Sequence, residues 1–493
     1  MKVNELLELD VTDVALGGKA LARHEGRVVF VDRGLPGDRV VARLTRVKRT
    51  WAEARLERLI SSTAQRVEAP CPHFVSGICG GCRFQDLPYE EQLALKERQV
   101  RETLEHLGGI QQPPVRAIRP APATGGYRNK MEFSFSPAAD GTAVLGLHER
   151  GTFEGVFALE TCILPSALTL EVVRLTQRFA RERNWRAYHP RRHEGMVRYL
   201  TVRHLPHTAQ CGVHLVAASE DVPGLAEWAQ AVAALSGEVR TVTLLLNRSR
   251  SNVAFGESER ALHGEGVIVE RLLGLEFEAT AATFLQTNSR QAEALYAAAL
   301  EAAALQPHET ALDLYCGTGT LTLLMARGGG AVVGVESVAD AIERARRNAA
   351  RNGVANARFV AGEARPVLRA WSRGERDDTR GRHARAARRG RGPAARRAPS
   401  AGRLPHRRTG ARAHRLRLVQ PGDPGARPQG LRAVRLASRR GHALRHVPAH
   451  APHRVRRAAR AGLGGADRAA DQRPSLSSGP TAKARTRRPM SLS

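Results

Sequence analysis

Ala311-Leu312-Asp313-Leu314-Tyr315-Cys316-Gly317-Thr318-Gly319-Thr320 is the stretch that decides the fold of this chain. It reads as an apolar strand running into a glycine turn and then a helix. A second strand, Val332-Val333-Gly334-Val335-Glu336, ends in a carboxylate nineteen residues past Gly317. Glycines at the C-terminal edge of a strand let a ligand approach the backbone, and the carboxylate at the end of the next strand can accept hydrogen bonds from two ribose hydroxyls. A dinucleotide site would want Gly or Ala where Thr322 stands, so the arrangement better fits S-adenosylmethionine. Gly317, Gly319 and Glu336 are therefore candidate cofactor-binding residues. From Phe284 onward the texture is helix, strand, helix, strand, which predicts a βαβ series and an α/β Rossmann-like domain over 276–371.

Toward the N-terminus the pattern changes twice. Between Tyr127 and about Leu275 it is mostly strand-like, as in Val197-Arg198-Tyr199-Leu200-Thr201-Val202 and Val242-Thr243-Leu244-Leu245-Leu246. Residues 92–109 have apolar positions at helical spacing and end in Gly108-Gly109, a helix stop. The first 59 residues hold short alternating runs, Arg27-Val28-Val29-Phe30-Val31 and Arg39-Val40-Val41-Ala42-Arg43-Leu44, separated by Gly17-Gly18 and Leu35-Pro36-Gly37-Asp38. Turn residues at that spacing predict a small antiparallel OB-like barrel. Its basic side chains, Lys19, Arg23, Arg27, Arg39, Arg43, Arg46, Lys48 and Arg49, are either a solvated face or an RNA-contacting one.

Six cysteines are too few and too unevenly placed for a disulfide scaffold in 493 residues. Cys71, Cys79 and Cys82 fall within twelve residues, and Cys162 follows eighty residues later. Four thiolates from two loops suit an iron–sulfur cluster or zinc. Gly80-Gly81 lets the loop fold back so that Cys79 and Cys82 can face one centre. Cys211 reads as plain core.

Composition breaks sharply after Trp371. Residues 372–493 carry 32 Lys+Arg against 6 Asp+Glu, whereas the 371 residues before them have a net charge of only +3. The high pI thus says little about the folded part. The tail has no Phe, Tyr, Trp, Ile, Cys or Asn, so it cannot bury enough apolar surface to offset its ordering entropy, and is expected to be unfolded. The start, MKVNELLELD, is acidic rather than a basic n-region with an apolar core, and no run of about 18 apolar residues occurs. A cytoplasmic protein is expected.

Together these segments resemble the RNA uracil-5-methyltransferases, in particular the subgroup that modifies 23S ribosomal RNA. Phe284-Leu285-Gln286-Thr287-Asn288-Ser289-Arg290-Gln291-Ala292-Glu293, the Asp313–Gly319 loop, Tyr127-Arg128-Asn129-Lys130 and the four cysteines look like that family's signatures, over about residues 1–370. The resemblance implies a TRAM barrel at 1–59, a central iron–sulfur and RNA-binding domain at 60–275, and a class I methyltransferase domain at 276–371. It implies a [4Fe-4S] cluster on Cys71, Cys79, Cys82 and Cys162, and S-adenosylmethionine contacts from Gln286, Tyr315 and Glu336. A monomer acting on 23S rRNA is expected, with tRNA as the alternative substrate.

Family enzymes also need an Asp-Pro-Pro-Arg loop, a Ser-Cys-Asn-Pro loop with the nucleophile and a His-x-Glu segment with the base. These belong after the third strand, and there the sequence contains none of them. All three reappear when the tail is read as out-of-frame coding sequence. Gly392-Pro393-Ala394-Ala395-Arg396, written GGA CCC GCC GCG CGG and read from the second nucleotide, gives Asp-Pro-Pro-Arg. Leu418-Val419-Gln420-Pro421, as CTC GTG CAA CCC, gives Ser-Cys-Asn-Pro. Arg445 to Arg454, followed by the first nucleotide of Val455, can be written to give Asp-Met-Phe-Pro-His-Thr-Pro-His-Ile-Glu. The frame and order agree, which a natural basic tail would not explain. The expectation is a frameshifted, incomplete methyltransferase domain, inactive because nucleophile and base are lost. The competing function is a catalytically dead RNA-binding protein with a basic tail.

Overall fold

The computed structural model describes residues 1–63, 66–138, 141–152 and 154–373. Residues 374–493, and with them the three out-of-frame motifs and the expectation of an unfolded segment, lie outside the described residues.

Alternation of buried and exposed side chains closes the first barrel. Strands β1 (Leu6–Val14), β2 (Ala20–His24), β3 (Arg27–Val31), β4 (Arg39–Val47) and β5 (Trp51–Ser61) pair in the order β1-β2-β3-β5-β4. Leu9, Val11, Ala20, Val29, Val31, Val40, Leu44 and Ala52 fill the interior. Outside, three of the eight basic side chains are neutralised by the barrel's own acids: Lys19 pairs with Glu53 at 2.7 Å, Arg39 with Glu8 at 3.1 Å and Arg43 with Glu57 at 2.9 Å. Arg66 bridges the buried Asp38 of the barrel to Asp86 beyond it.

A short helix α1 (Pro72–Val75) and a longer α2 (Tyr89–Glu102), extended by a π-turn over Thr103–Leu107, lead into the central sheet. Its strands are β6 (Lys130–Pro137), β7 (Ala143–His148), β8 (Val156–Ala158), β9 (Val197–Leu205), β10 (Gln210–Ala217), β11 (Val239–Leu246) and β12 (Ser258–His263). They are ordered β12-β11-β10-β9-β6-β7-β8, antiparallel except for the β10–β11 pair. Helices α3 (Ala167–Glu182) and α4 (Leu225–Ala233), which a mostly-strand reading of 127–275 passes over, cover one face. There Trp185 and Trp228 are fully buried, edge to face at 6.0 Å, and each indole N–H has an acceptor, Pro223 O and Thr176 Oγ1. Cys211 is core, its thiol pushed up to about 12 by burial.

The opposite face of this sheet is polar although buried. Thr201, His214 and Thr243 stand side by side across β9, β10 and β11, and Arg203 lies two residues further along β9. His214 Nδ1 bonds Thr243 Oγ1 at 2.8 Å, and burial, with Arg203 and Lys130 nearby, lowers its pKa to about 3. The native state thus refuses a proton that the unfolded chain accepts below about 6.5. This contribution is intact above that pH and is lost as the pH falls toward 3. Urea midpoints should fall between pH 7 and pH 5 in the parent, and less steeply in His214→Asn. Equal slopes would assign the acid sensitivity elsewhere.

A hairpin of β13 (Ile268–Leu272) and β14 (Leu275–Ala279) packs through Ile268 and Ala279 onto Leu205 and Leu285. The last layer is α5 (Ser289–Ala303), β15 (Thr310–Leu314), α6 (Thr320–Arg327), β16 (Ala331–Glu336), α7 (Ala339–Arg351), β17 (Ala357–Ala361) and α8 (Ala364–Ser372). Its three strands are parallel in the order β15-β16-β17, the βαβ series that the glycine turn predicts. Among the described residues β15 pairs with β16 alone. A small cleft lined by Leu305, Leu312, Leu321 and Met325 also borders β15.

Candidate cofactor site

Four of the predicted cofactor residues meet at the C-terminal ends of β15 and β16. The chain leaves β15 with Tyr315 at φ +67°, a left-handed conformation rare for a side chain this bulky, and its ring is 66% exposed. Strain of this kind persists only where the surroundings impose it. Here the amides of Tyr315 and Cys316 both donate to Val335 O, at 2.8 and 3.1 Å. Gly319, the residue before α6, has φ +85°, and a Cβ there would lie 2.9 Å from the Phe359 ring and 3.1 Å from Ala345. Gly317 has φ +54° and open space around it. One glycine is demanded by packing, the other by backbone conformation.

Glu336 is held by its neighbours. Its Oε1 accepts from Ser337 N at 2.7 Å, Ser337 Oγ at 3.0 Å and Val338 N at 3.0 Å, where α7 begins; Oε2 accepts from Gly317 N at 3.2 Å. The last bond ties the carboxylate to the glycine turn and leaves Oε2 lone-pair capacity for a ligand hydroxyl. Beneath the turn, Asp313 is buried and accepts from Thr322 Oγ1 at 2.6 Å, and burial pushes its carboxyl up to about 6. The position that argues against a dinucleotide site is thus filled by a threonine with a structural task. Cys316 is buried beneath Gly334, and burial, reinforced by Asp313 and Glu336, raises its thiol well above the ordinary range.

Gln286 arrives from a different direction. The loop before α5 is clamped by Asn129: its amide nitrogen donates to Gln286 O at 2.8 Å and Ser289 Oγ at 2.7 Å, and its backbone N–H donates to Thr287 O. Ser289 in turn donates to the buried Glu270, and Arg203 Nη2 donates to Thr283 O at 2.6 Å. Gln286 lines a cavity of about 720 Å³ with Arg119, Asn288, Gln291 and Leu295. This cavity lies along α5 and includes none of Tyr315, Gly317, Gly319 or Glu336, so the structure brings those four together and leaves Gln286 at a separate opening. Sequence reasoning missed Asn348. Fully buried, it donates from Nδ2 to Thr318 O at 3.0 Å and accepts Glu278 N at 3.0 Å, bracing the turn from α7. The available signal was an asparagine on the apolar stripe Ile342, Ala345, Ala349.

The four cysteines also gather. Cys71 precedes α1, Cys79 forms a β-bridge with Glu149, and Cys162 follows β8. Gly81 N donates to Cys79 Sγ at 3.3 Å, and Arg150 holds the loop through Cys79 O and Gly77 O. Burial raises the Cys82 thiol, with Cys79 and Cys71 adding to the effect, and lifts Cys162 to about 11, with Cys82, Cys71 and Cys79 adding to it. The thiols are therefore close enough to interact, yet among the described residues no three donors converge at metal-ligand spacing. The thiols are neutral but soft donors whose deprotonation a cationic centre would favour, so their residue types, though not their present spacing, suit a metal or cluster.

Comparison with known proteins supplies the wider context. Residues 1–56 match the TRAM domain and residues 305–374 a methyltransferase domain. An uncharacterized RNA methyltransferase of Nitratidesulfovibrio vulgaris is 40% identical over 375 residues, covering 75% of this chain and 79% of its own. One from Chlorobaculum tepidum is 38% identical over 373 residues, covering 72% and 77%. Among solved structures, the Pyrococcus abyssi tRNA (uracil-54, C5)-methyltransferase in complex with S-adenosyl-L-homocysteine superposes with a TM-score of 0.57 at 26% identity, over 72% of this chain and 79% of that one.

Proposed function

This chain belongs to the RNA methyltransferases, and from that premise we propose that its target is C5 of uridine in 23S ribosomal RNA, with S-adenosylmethionine as methyl donor. The observation that carries the reading is the turn of Tyr315, Gly317 and Gly319 tied to Glu336, in a chain that begins with an OB-like barrel. In it Glu336 holds the ribose hydroxyls and Tyr315 offers an exposed ring, while Gln286, a cofactor contact by the family resemblance, lines the cavity along α5. Glu336→Ala should weaken S-adenosylhomocysteine binding by about tenfold or more, as expected for lost hydrogen bonds to a charged group. Unchanged affinity by calorimetry would remove Glu336 from the site.

The methylation step needs two further groups. A thiolate adds to C6 of uracil, C5 takes the methyl group, and a carboxylate removes the C5 proton so that the thiol can leave. In our reading both groups were lost to the frameshift, and the chain as it stands binds cofactor and RNA without turnover. Cys316 is no substitute: its sulfur is buried under Gly334, and its neighbours Asp313 and Glu336 disfavour the thiolate. The solved neighbour, a tRNA enzyme, favours tRNA as the second substrate reading.

Cys71, Cys79, Cys82 and Cys162 would hold the [4Fe-4S] cluster. When bound, it would cross-link the 71–82 loop to the segment before α3 and neutralise the crowded sulfurs. Anaerobically purified protein should carry about four iron and four sulfide per chain. Stoichiometric zinc without sulfide would rule the cluster out.

A further inference from the structure

Between β11 and β12 the chain runs Asn247-Arg248-Ser249-Arg250-Ser251-Asn252-Val253-Ala254-Phe255, polar enough for a loose surface loop. It is instead built from within. Arg198, buried in β9 with its guanidinium 4.1 Å over the Tyr188 ring, donates to the carbonyls of Asn247, Ser249 and Ser251 at 2.6–2.8 Å. Asn247, itself buried, donates from Nδ2 to the carbonyls of Val253 and Phe255 at 3.1 and 2.7 Å, while its Oδ1 accepts from Ser249 N and Oγ and from Arg198. Gly256 lets the loop rejoin β11, since a Cβ there would come within 2.9 Å of Leu246 N.

Burying a guanidinium is costly unless its bonds are well made, and here they are spent fixing a loop whose carbonyls point inward. What this leaves outside is Arg248, Arg250, Asn252, Val253 and Phe255. Phe255 is 45% exposed, with Lys130 Nζ 5.7 Å from its ring centre. Lys130 directly follows Asn129, the residue that clamps the Gln286 loop. A braced, exposed aromatic ring therefore stands beside Lys130, the neighbour of the residue that clamps the Gln286 loop.

We propose that this loop is a stacking platform for single-stranded RNA, on which Phe255 receives an unpaired base beside the target nucleotide. The inference rests on the reading of the chain as an RNA-modifying protein. Stacking, more than phosphate binding, is what the surface offers: Arg248 is held by Glu220 at 3.1 Å and Lys130 by Glu132 at 2.7 Å, which leaves Arg250 without an ion pair among the described residues. An aromatic face accepts any base, and one stacked base typically changes affinity by tenfold or more.

The basic tail would dominate a simple binding titration, so the test must report location. The full chain is irradiated with a uridine-rich single strand carrying 5-iodouridine, and the cross-linked peptides are mapped by mass spectrometry. We expect a cross-link at Phe255, retained in Phe255→Tyr and reduced at least fivefold in Phe255→Leu, which keeps apolar bulk without a π face. Phe255 is exposed, so equal melting temperatures for the three proteins will show that the fold is intact. A strand that cross-links elsewhere but not within 247–255, or a Leu variant equal to the parent, overturns the platform. A cross-link at Phe255 in a protein that fails to bind S-adenosylhomocysteine would uphold the platform and remove the proposed reaction instead.

Discussion

Gly319→Val is expected to abolish binding of S-adenosylhomocysteine, with a loss of at least a hundredfold. At φ +85° a β-branched residue is strained, and its first carbon would sit 2.9 Å from the Phe359 ring, inside the core beneath the turn. Left-handed strain costs about 1–2 kcal/mol and overpacking about 1–3 kcal/mol, so the turn must move or the layer must loosen. Gly317→Ala separates these effects. Its Cβ meets nothing within 4 Å, so only the cost of φ +54° remains, and binding should weaken by severalfold. Calorimetry on both variants checks the contrast. A Gly319→Val protein that binds within threefold of the parent would show that the ligand does not use this turn.

Restoring the reading frame between codons 372 and 391 is expected to give the largest change of all, from no turnover to turnover, a gain of 10³-fold or more. The chain before that point already holds the turn, the Glu336 carboxylate and the clamp on the Gln286 loop. The restored segment would add a strand beside β15, whose second edge has no partner among the described residues. It would also add the cysteine and glutamate that the addition and proton-removal steps require. RNA containing 5-fluorouridine offers a check on the chemistry. Fluorine at C5 cannot leave as a proton, so the restored protein should remain covalently joined to RNA, and the chain as it stands should not.

The legible part of this protein is the part governed by local rules. The barrel follows from alternation of period two, and the 311–336 unit from a strand, two glycines and a spaced acid, because those features act within a few residues of each other. The helices α3 and α4 were hidden in a stretch whose strands dominate the hydrophobic signal. Asn348 and Arg203 were hidden for a different reason: each acts on a backbone carbonyl 30 or 80 residues away, and sequence spacing carries no trace of such a partner. The motif Tyr127-Arg128-Asn129-Lys130 was visible as a string, but only the fold reveals that Asn129 holds the Gln286 loop by three hydrogen bonds. The cysteines were legible as a set in the string, but among the described residues no three of them converge at metal-ligand spacing.

The central proposal is that residues 1–373 belong to a cofactor-binding RNA methyltransferase whose reacting groups are missing from this reading frame, and one measurement addresses it most directly. The chain as it stands and its frame-restored counterpart are each incubated with methyl-labelled S-adenosylmethionine and unmodified 23S rRNA, and the RNA is digested to nucleosides. The account predicts labelled 5-methyluridine from the restored protein and none from the present chain, although both bind the cofactor. Formation of 5-methyluridine by the present chain would contradict it and turn attention to Cys316, the cysteine buried in the cofactor turn.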